Sequence, residues 1–191
     1  ENLVRSCRGL GIDTFVLDDG WFGCRKSDNS SLGDWYIDKN KFPNGLNNII
    51  SICKENGMSF GIWFEPEMIS ENSALYRKHP DWCISCPGRE PSVCRNQLVL
   101  DMSRVEVVDY VYSVIAALLD NANIEYLKWD MNRPLCDVYS PSLPADRQGE
   151  VPHRYMLGVY DLLERLNKNY PNLLIEGCAS GGGRFDAGML Y

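Results

Sequence analysis

Five short apolar runs along this chain each end in acidic or polar residues, and helical patterns separate them. Thr14–Leu17 runs into Asp18-Asp19-Gly20, and Ser59–Phe64 into Glu65-Pro66-Glu67. Residues 97–100 lead to Asp101, residues 125–129 to Asp130 and Asn132, and residues 173–175 to Glu176 and Cys178. Strands alternating with helices predict a parallel sheet joined by right-handed crossovers. In parallel sheets ligands bind at the carboxyl ends of the strands, which is where this chain concentrates its charge. A doubly wound sheet more often carries a glycine-rich loop after its first strand. Here that loop is acidic, and a barrel is favoured.

The helices are legible from their period. Residues 3–10 read as the end of a helix stopped by Gly11. Leu46, Ile49, Ile50 and Cys53 share a face closed by Asn56-Gly57. Ser103 and Glu106 predict a capping box before a helix whose apolar face includes Val108, Val111, Ile115 and Leu118. Tyr155, Val159, Leu162, Leu163 and Leu166 predict another. This gives about five strand-helix units, whereas a closed (β/α)8 barrel has eight in typically about 250 residues. The expectation is an α/β fold: a partial (β/α)8 TIM barrel with a parallel sheet, residues 1–191 forming the central part of a catalytic domain truncated at both ends.

Composition narrows the partners. The 26 acidic against 19 basic residues give a net charge of −7 without a basic cluster, which argues against nucleic acid. No apolar run approaches the roughly 20 residues of a membrane span. Cys83-Ile-Ser-Cys86 with Cys94 hints at zinc, but no second CxxC or nearby histidine pair completes four ligands, and no metal is expected. Eight cysteines at irregular spacing suggest reduced thiols in a cytoplasmic protein.

The stretch "YLKWDMNR", residues 126–133, is the sharpest local signal. Side chains two apart on a strand share a face, so Lys128, Asp130 and Asn132 point one way and Trp129 and Met131 the other. Lys128 and Asp130 are a structural ion pair or the floor of a site; in a site, the lysine keeps the carboxylate ionised for attack on an electron-poor carbon. Asp18 and Asp19, near Trp21 and Trp35, are turn residues or a sugar subsite in which acids accept from hydroxyls while an aromatic ring covers the apolar face. Glu65 and Glu67 share a face across Pro66 and form a candidate acid pair. Arg104 starts a helix, where the dipole disfavours a cation, and hints weakly at function. The run Gly181-Gly182-Gly183 lacks the Lys-Ser/Thr of a P-loop and reads as close approach of backbone to a ligand. Cys178 is a buried thiol or a pocket wall. His79 and His153 receive no role.

Seven motifs, "FVLDDGWFG", "SLGDW", "FGIWFEPEM", "HPDW", "LDMSR", "YLKWDMNR" and "EGCASGGGRFDAGML", together resemble in order and spacing the catalytic domain of glycoside hydrolase family 36 α-galactosidases. The resemblance implies a (β/α)8 barrel that removes terminal α-linked galactose from galactosides and raffinose-type oligosaccharides, with retention and without metal or cofactor. By motif, Asp130 is the implied nucleophile, with Lys128 and Asn132 contacting the sugar. Asp18 and Asp19 hold galactose hydroxyls, and Trp35 lines the pocket. Arg104 and Cys178 complete the subsite, with Gly181 and its neighbours allowing close approach. The resemblance puts the acid/base aspartate on the strand after "GGGRFD", beyond Tyr191, so Asp186 is not that residue and the chain alone is expected to be inactive. A homo-oligomeric parent enzyme is implied. The alternatives are galactosyl transfer as in raffinose or stachyose synthases, a Schiff-base aldolase using Lys128, and a noncatalytic sugar-binding module.

Overall fold

The computed structural model describes residues 1–179 and 187–190. Its elements are α1 (Asn2–Ser6), β1 (Thr14–Leu17), α2 (Asn47–Glu55), β2 (Ser59–Phe64), β3 (Met68–Ile69), α3 (Ala74–Lys78), β4 (Leu98–Val99), α4 (Val105–Asn121), β5 (Tyr126–Trp129), α5 (Val151–Asn169) and β6 (Leu174–Gly177). Four strands form one parallel sheet in the order β1-β2-β5-β6. Each neighbour in the sheet is the next parallel strand along the chain, without the reversal that defines a doubly wound sheet. This is compatible with a partial barrel.

The strand expected at residues 97–100 does not join that sheet. β2 and β5 pair directly, from Gly61 opposite Tyr126 to Phe64 opposite Trp129. That register leaves no gap between them. Leu98 and Val99 instead pair antiparallel with Ile69 and Met68, in a two-stranded ribbon on the long connection between β2 and α4. The described residues therefore hold four of the five expected parallel strands.

The outer layer is built from the predicted helical faces. α4 buries Val107, Val108, Val111, Ile115 and Leu118, and α5 buries Tyr155, Val159, Leu162 and Leu166, while Leu163 packs against the core partly buried. Gly158 lets α5 approach the loop ahead of α4, because a Cβ there would lie 1.8 Å from the Met102 carbonyl oxygen. Two terminal expectations are corrected. The first helix ends at Ser6, and the chain then turns through Gly9 and Gly11, at φ +79° and +76°. The capping box before α4 does not form: Ser103 Oγ donates to Asp101 Oδ1, and Glu106 turns to the Arg104 guanidinium. Ser103 is engaged by the Asp101 side chain, and Glu106 by its own main-chain amide and by Arg104, so neither reaches across the turn to the other's amide.

Candidate active site

The polar ends of β1, β2 and β5 meet at one edge of the sheet. β2 packs between the other two, with Leu17 opposite Ile62 and Trp63 opposite Lys128. Alternation along β5 then sends Trp129 to the helix layer, fully buried, and leaves Lys128 and Asp130 on the opposite face. A cavity of 690 Å³ between β6 and α5 is lined by Trp129, Leu163, Ile175 and Met189, so it belongs to the helix side rather than to this cluster.

Asp130 lies at the centre, only 7% exposed. Its Oδ2 accepts from the indole N–H of Trp63 at 3.0 Å and from the carboxamide of Asn132 at 2.7 Å. Its Oδ1 accepts from the main-chain N–H of Met131 at 2.9 Å, and Cys178 also hydrogen-bonds the side chain. Burial acts to raise its pKa, but the bonds from Trp63, Asn132, Cys178 and Met131 outweigh burial and hold it below the usual aspartate value. It stays ionised at neutral pH.

The source of that ionisation differs from the expected lysine pair. Lys128 Nζ donates to Asp18 Oδ2 at 2.9 Å, and this bond raises the lysine's pKa against a smaller opposing effect of burial. Asp19 is held by both sides of the Arg25 guanidinium, Nε to Oδ1 at 2.6 Å and Nη2 to Oδ2 at 2.8 Å. Arg25 is itself buried, with Nη1 on the Ser30 carbonyl at 2.7 Å and the guanidinium over the Phe22 ring. Asp18 and Asp19 thus sit at the same strand edge, exposed, each oriented by a cation.

Other predicted residues fall elsewhere. Trp35 packs in an aromatic core with its ring centroid 4.4 Å from Phe22 and 5.1 Å from Phe64, and its indole N–H has no hydrogen-bond partner among the described residues. The aromatic residue on Asp130 is Trp63, which the sequence reading passed over although it lies two residues before Glu65 on a strand of period two. Arg104 binds the Asp81 carbonyl and carboxylate and the Glu106 carboxylate, so its described contacts are with surface acids rather than with the Asp130 cluster. Gly181 lies outside the described residues, as do the other two glycines of its run and Asp186.

Glu65 and Glu67 do not form a pair in a pocket. Glu67 accepts from the Trp129 indole at 2.8 Å and the Tyr155 hydroxyl at 3.0 Å, on the helix side of the sheet. Glu65 accepts from the Asn132 main chain and the Gln97 carboxamide. Pro66 and the start of the ribbon turn the chain, so the strand alternation expected of them is lost. Asp34 of "SLGDW" is also structural: its carboxylate accepts from the Ala74 and Leu75 amides and caps α3. Among the described residues no group of three metal-donor side chains comes together.

The family model for Melibiase matches residues 1–191. The chain belongs to the Melibiase family. It is 57% identical to Alpha-galactosidase 1 of Pediococcus pentosaceus over 99% of this chain and 26% of that protein. It is 54% identical to Alpha-galactosidase Mel36A of Lactobacillus acidophilus, again over 26% of the relative. A crystal structure of a GH36 alpha-galactosidase, AgaA from Geobacillus stearothermophilus, in complex with raffinose superimposes with a TM-score of 0.95 at 52% identity, covering 100% of this chain and 26% of that one. The chain therefore spans about a quarter of the length of the relatives it matches.

Proposed function

We propose that these residues carry the nucleophile and much of the galactose subsite of a retaining α-galactosidase. The observation that supports this most is Asp130, a buried carboxylate held ionised by four hydrogen-bond donors at the same sheet edge as two cation-oriented aspartates. In the reaction the Asp130 carboxylate attacks the anomeric carbon, and the bond to the leaving oxygen breaks as a second carboxylic acid protonates it. Water, deprotonated by that same group, then displaces Asp130 and releases galactose. The reading assigns the protonating acid to neither Glu65 nor Glu67, because both are at most 1% exposed with oxygens engaged inside the protein.

Within this reading Asp18, Asp19, Lys128 and Asn132 accept from or donate to sugar hydroxyls, and Cys178 closes the side of the site at Asp130. Raffinose and stachyose complexes of related α-galactosidases support raffinose-type oligosaccharides as the substrate class. A cytoplasmic location is part of the same proposal, supported by eight cysteines that are all free thiols.

The test uses the protein expressed with the flanking sequence its gene encodes, assayed on a nitrophenyl α-galactoside. Asp130→Asn is expected to lose several orders of magnitude in kcat. In Asp130→Ala, where the shortened side chain leaves room for it, added azide is expected to restore turnover with a galactosyl azide of inverted configuration. Ordinary turnover by Asp130→Asn would refute the assignment.

A further inference from the structure

Glu65 is a buried carboxyl that the reaction above leaves without a task. It directly follows β2 at 1% exposure, and the two donors described on it are neutral amides. Its Oε1 accepts the main-chain N–H of Asn132 at 2.6 Å, and its Oε2 accepts the Gln97 carboxamide at 3.0 Å. A carboxyl group removed from water without a bonded cation is costly to keep, and an apolar side chain fills such a place more cheaply unless the group does something there. What it touches is the residue that touches Asp130, since the Asn132 carboxamide lies 2.7 Å from Asp130 Oδ2.

We propose that Glu65 is a positioning residue for the nucleophile: by anchoring the Asn132 main chain it fixes the Asn132 carboxamide on Asp130 Oδ2 and so sets the orientation of the attacking carboxylate. This rests on the reading of Asp130 as nucleophile. The connection between β5 and α5 begins at this point and has no secondary structure until residue 145. Its first residues therefore depend on side-chain anchors for their place. Glu65 supplies one, and Arg133 supplies another through Nη1 on the Ser92 and Gln97 carbonyls at 2.6 Å each.

The charges around Glu65 agree with an anchor that is neutral below about pH 7. Burial, with the like charge of Asp130 adding to it, pushes Glu65 up to about 7 despite the bonds from Asn132 and Gln97. Asp130 faces it from the end of β5, the Asn132 and Gln97 amides from the connections, while Arg133 spends its guanidinium on carbonyls. Gln97 also offers a way to keep Glu65 bonded in either state, because its Oε1 is buried without a partner among the described residues. With that amide turned, Oε1 accepts a proton carried by position 65.

Two substitutions separate anchoring from mere packing. Glu65→Gln keeps the shape, an acceptor for the Asn132 N–H and a donor for the turned Gln97 amide. Glu65→Ala removes the acceptor. In the protein expressed with its flanking sequence, Glu65→Ala is expected to lower kcat by about 10- to 100-fold with KM within about threefold, in line with small misplacements of reacting groups. Glu65→Gln is expected to restore most of kcat at pH 6, and an inflection near 7 is expected in the wild type and not in this variant. Crystal structures of the two variants supply a readout independent of activity: Asn132 displaced from Asp130 Oδ2 in Glu65→Ala and seated in Glu65→Gln supports the proposal. An unmoved Asn132 in Glu65→Ala, or equal kcat losses in both variants, overturns it. Failure of the nucleophile reading shows separately, as an active Asp130→Asn.

Discussion

Replacing Trp63 by Phe removes one donor from Asp130 while keeping an aromatic ring in the cluster with Phe22 and Trp35. A hydrogen bond to a charged group contributes about 1.5–3 kcal/mol. Each pKa unit corresponds to about 1.4 kcal/mol, so losing this bond raises the Asp130 pKa by about 1–2 units. The direction follows from the chemistry: the indole N–H bonds the ionised carboxylate more strongly than the protonated acid, and its loss favours the protonated form. A nucleophile must be ionised to attack, so the acidic limb of kcat/KM against pH moves to higher pH by that amount. The assay is the pH profile on a nitrophenyl α-galactoside for wild type, Trp63→Phe and Asn132→Ala, which removes the other side-chain donor at Oδ2. The void left by the smaller ring lowers thermal stability but does not move the limb. An acidic limb unmoved in folded Trp63→Phe would refute the account of how Asp130 is kept charged.

Arg25→Lys replaces a planar fork that holds both Asp19 oxygens with a point charge, and KM for galactosides is expected to rise about tenfold, with a smaller change in kcat; unchanged KM would show that Asp19 does not need this orientation. Gly158→Ala is expected to destabilise by about 1–3 kcal/mol in thermal or denaturant unfolding, because the clash with Met102 outweighs the helix propensity gained. Gly149→Ala, where the added Cβ meets nothing within 4 Å, is the control and should be neutral or slightly stabilising.

Much of the fold is a consequence of local pattern. The runs Thr14–Leu17, Ser59–Phe64 and Tyr126–Trp129 became parallel strands because apolar β-rich segments between helical faces have one efficient way to bury both sides. Val111, Ile115, Val159 and Leu166 fell on buried helix faces for the same reason of period. The Leu98–Val99 strand shows the limit of such reasoning, since its composition fits a barrel strand and only the direct pairing of β2 with β5 excludes it from the sheet.

The site divides along the same line. The sequence by itself determined which carboxylates end the strands, that Lys128, Asp130 and Asn132 share a face, and that the chain carries family motifs from end to end. Only the tertiary structure decided who touches whom. Lys128 went to Asp18 rather than Asp130, Arg25 to Asp19, Trp63 rather than Trp35 to Asp130, and Glu65 to Asn132. These contacts join residues up to 110 positions apart, and they depend on strand register, on the turn at Pro66 and on the loops between the strands. A period of two tells which face a side chain takes; it carries no information about the neighbour waiting on that face, because the neighbour comes from another strand.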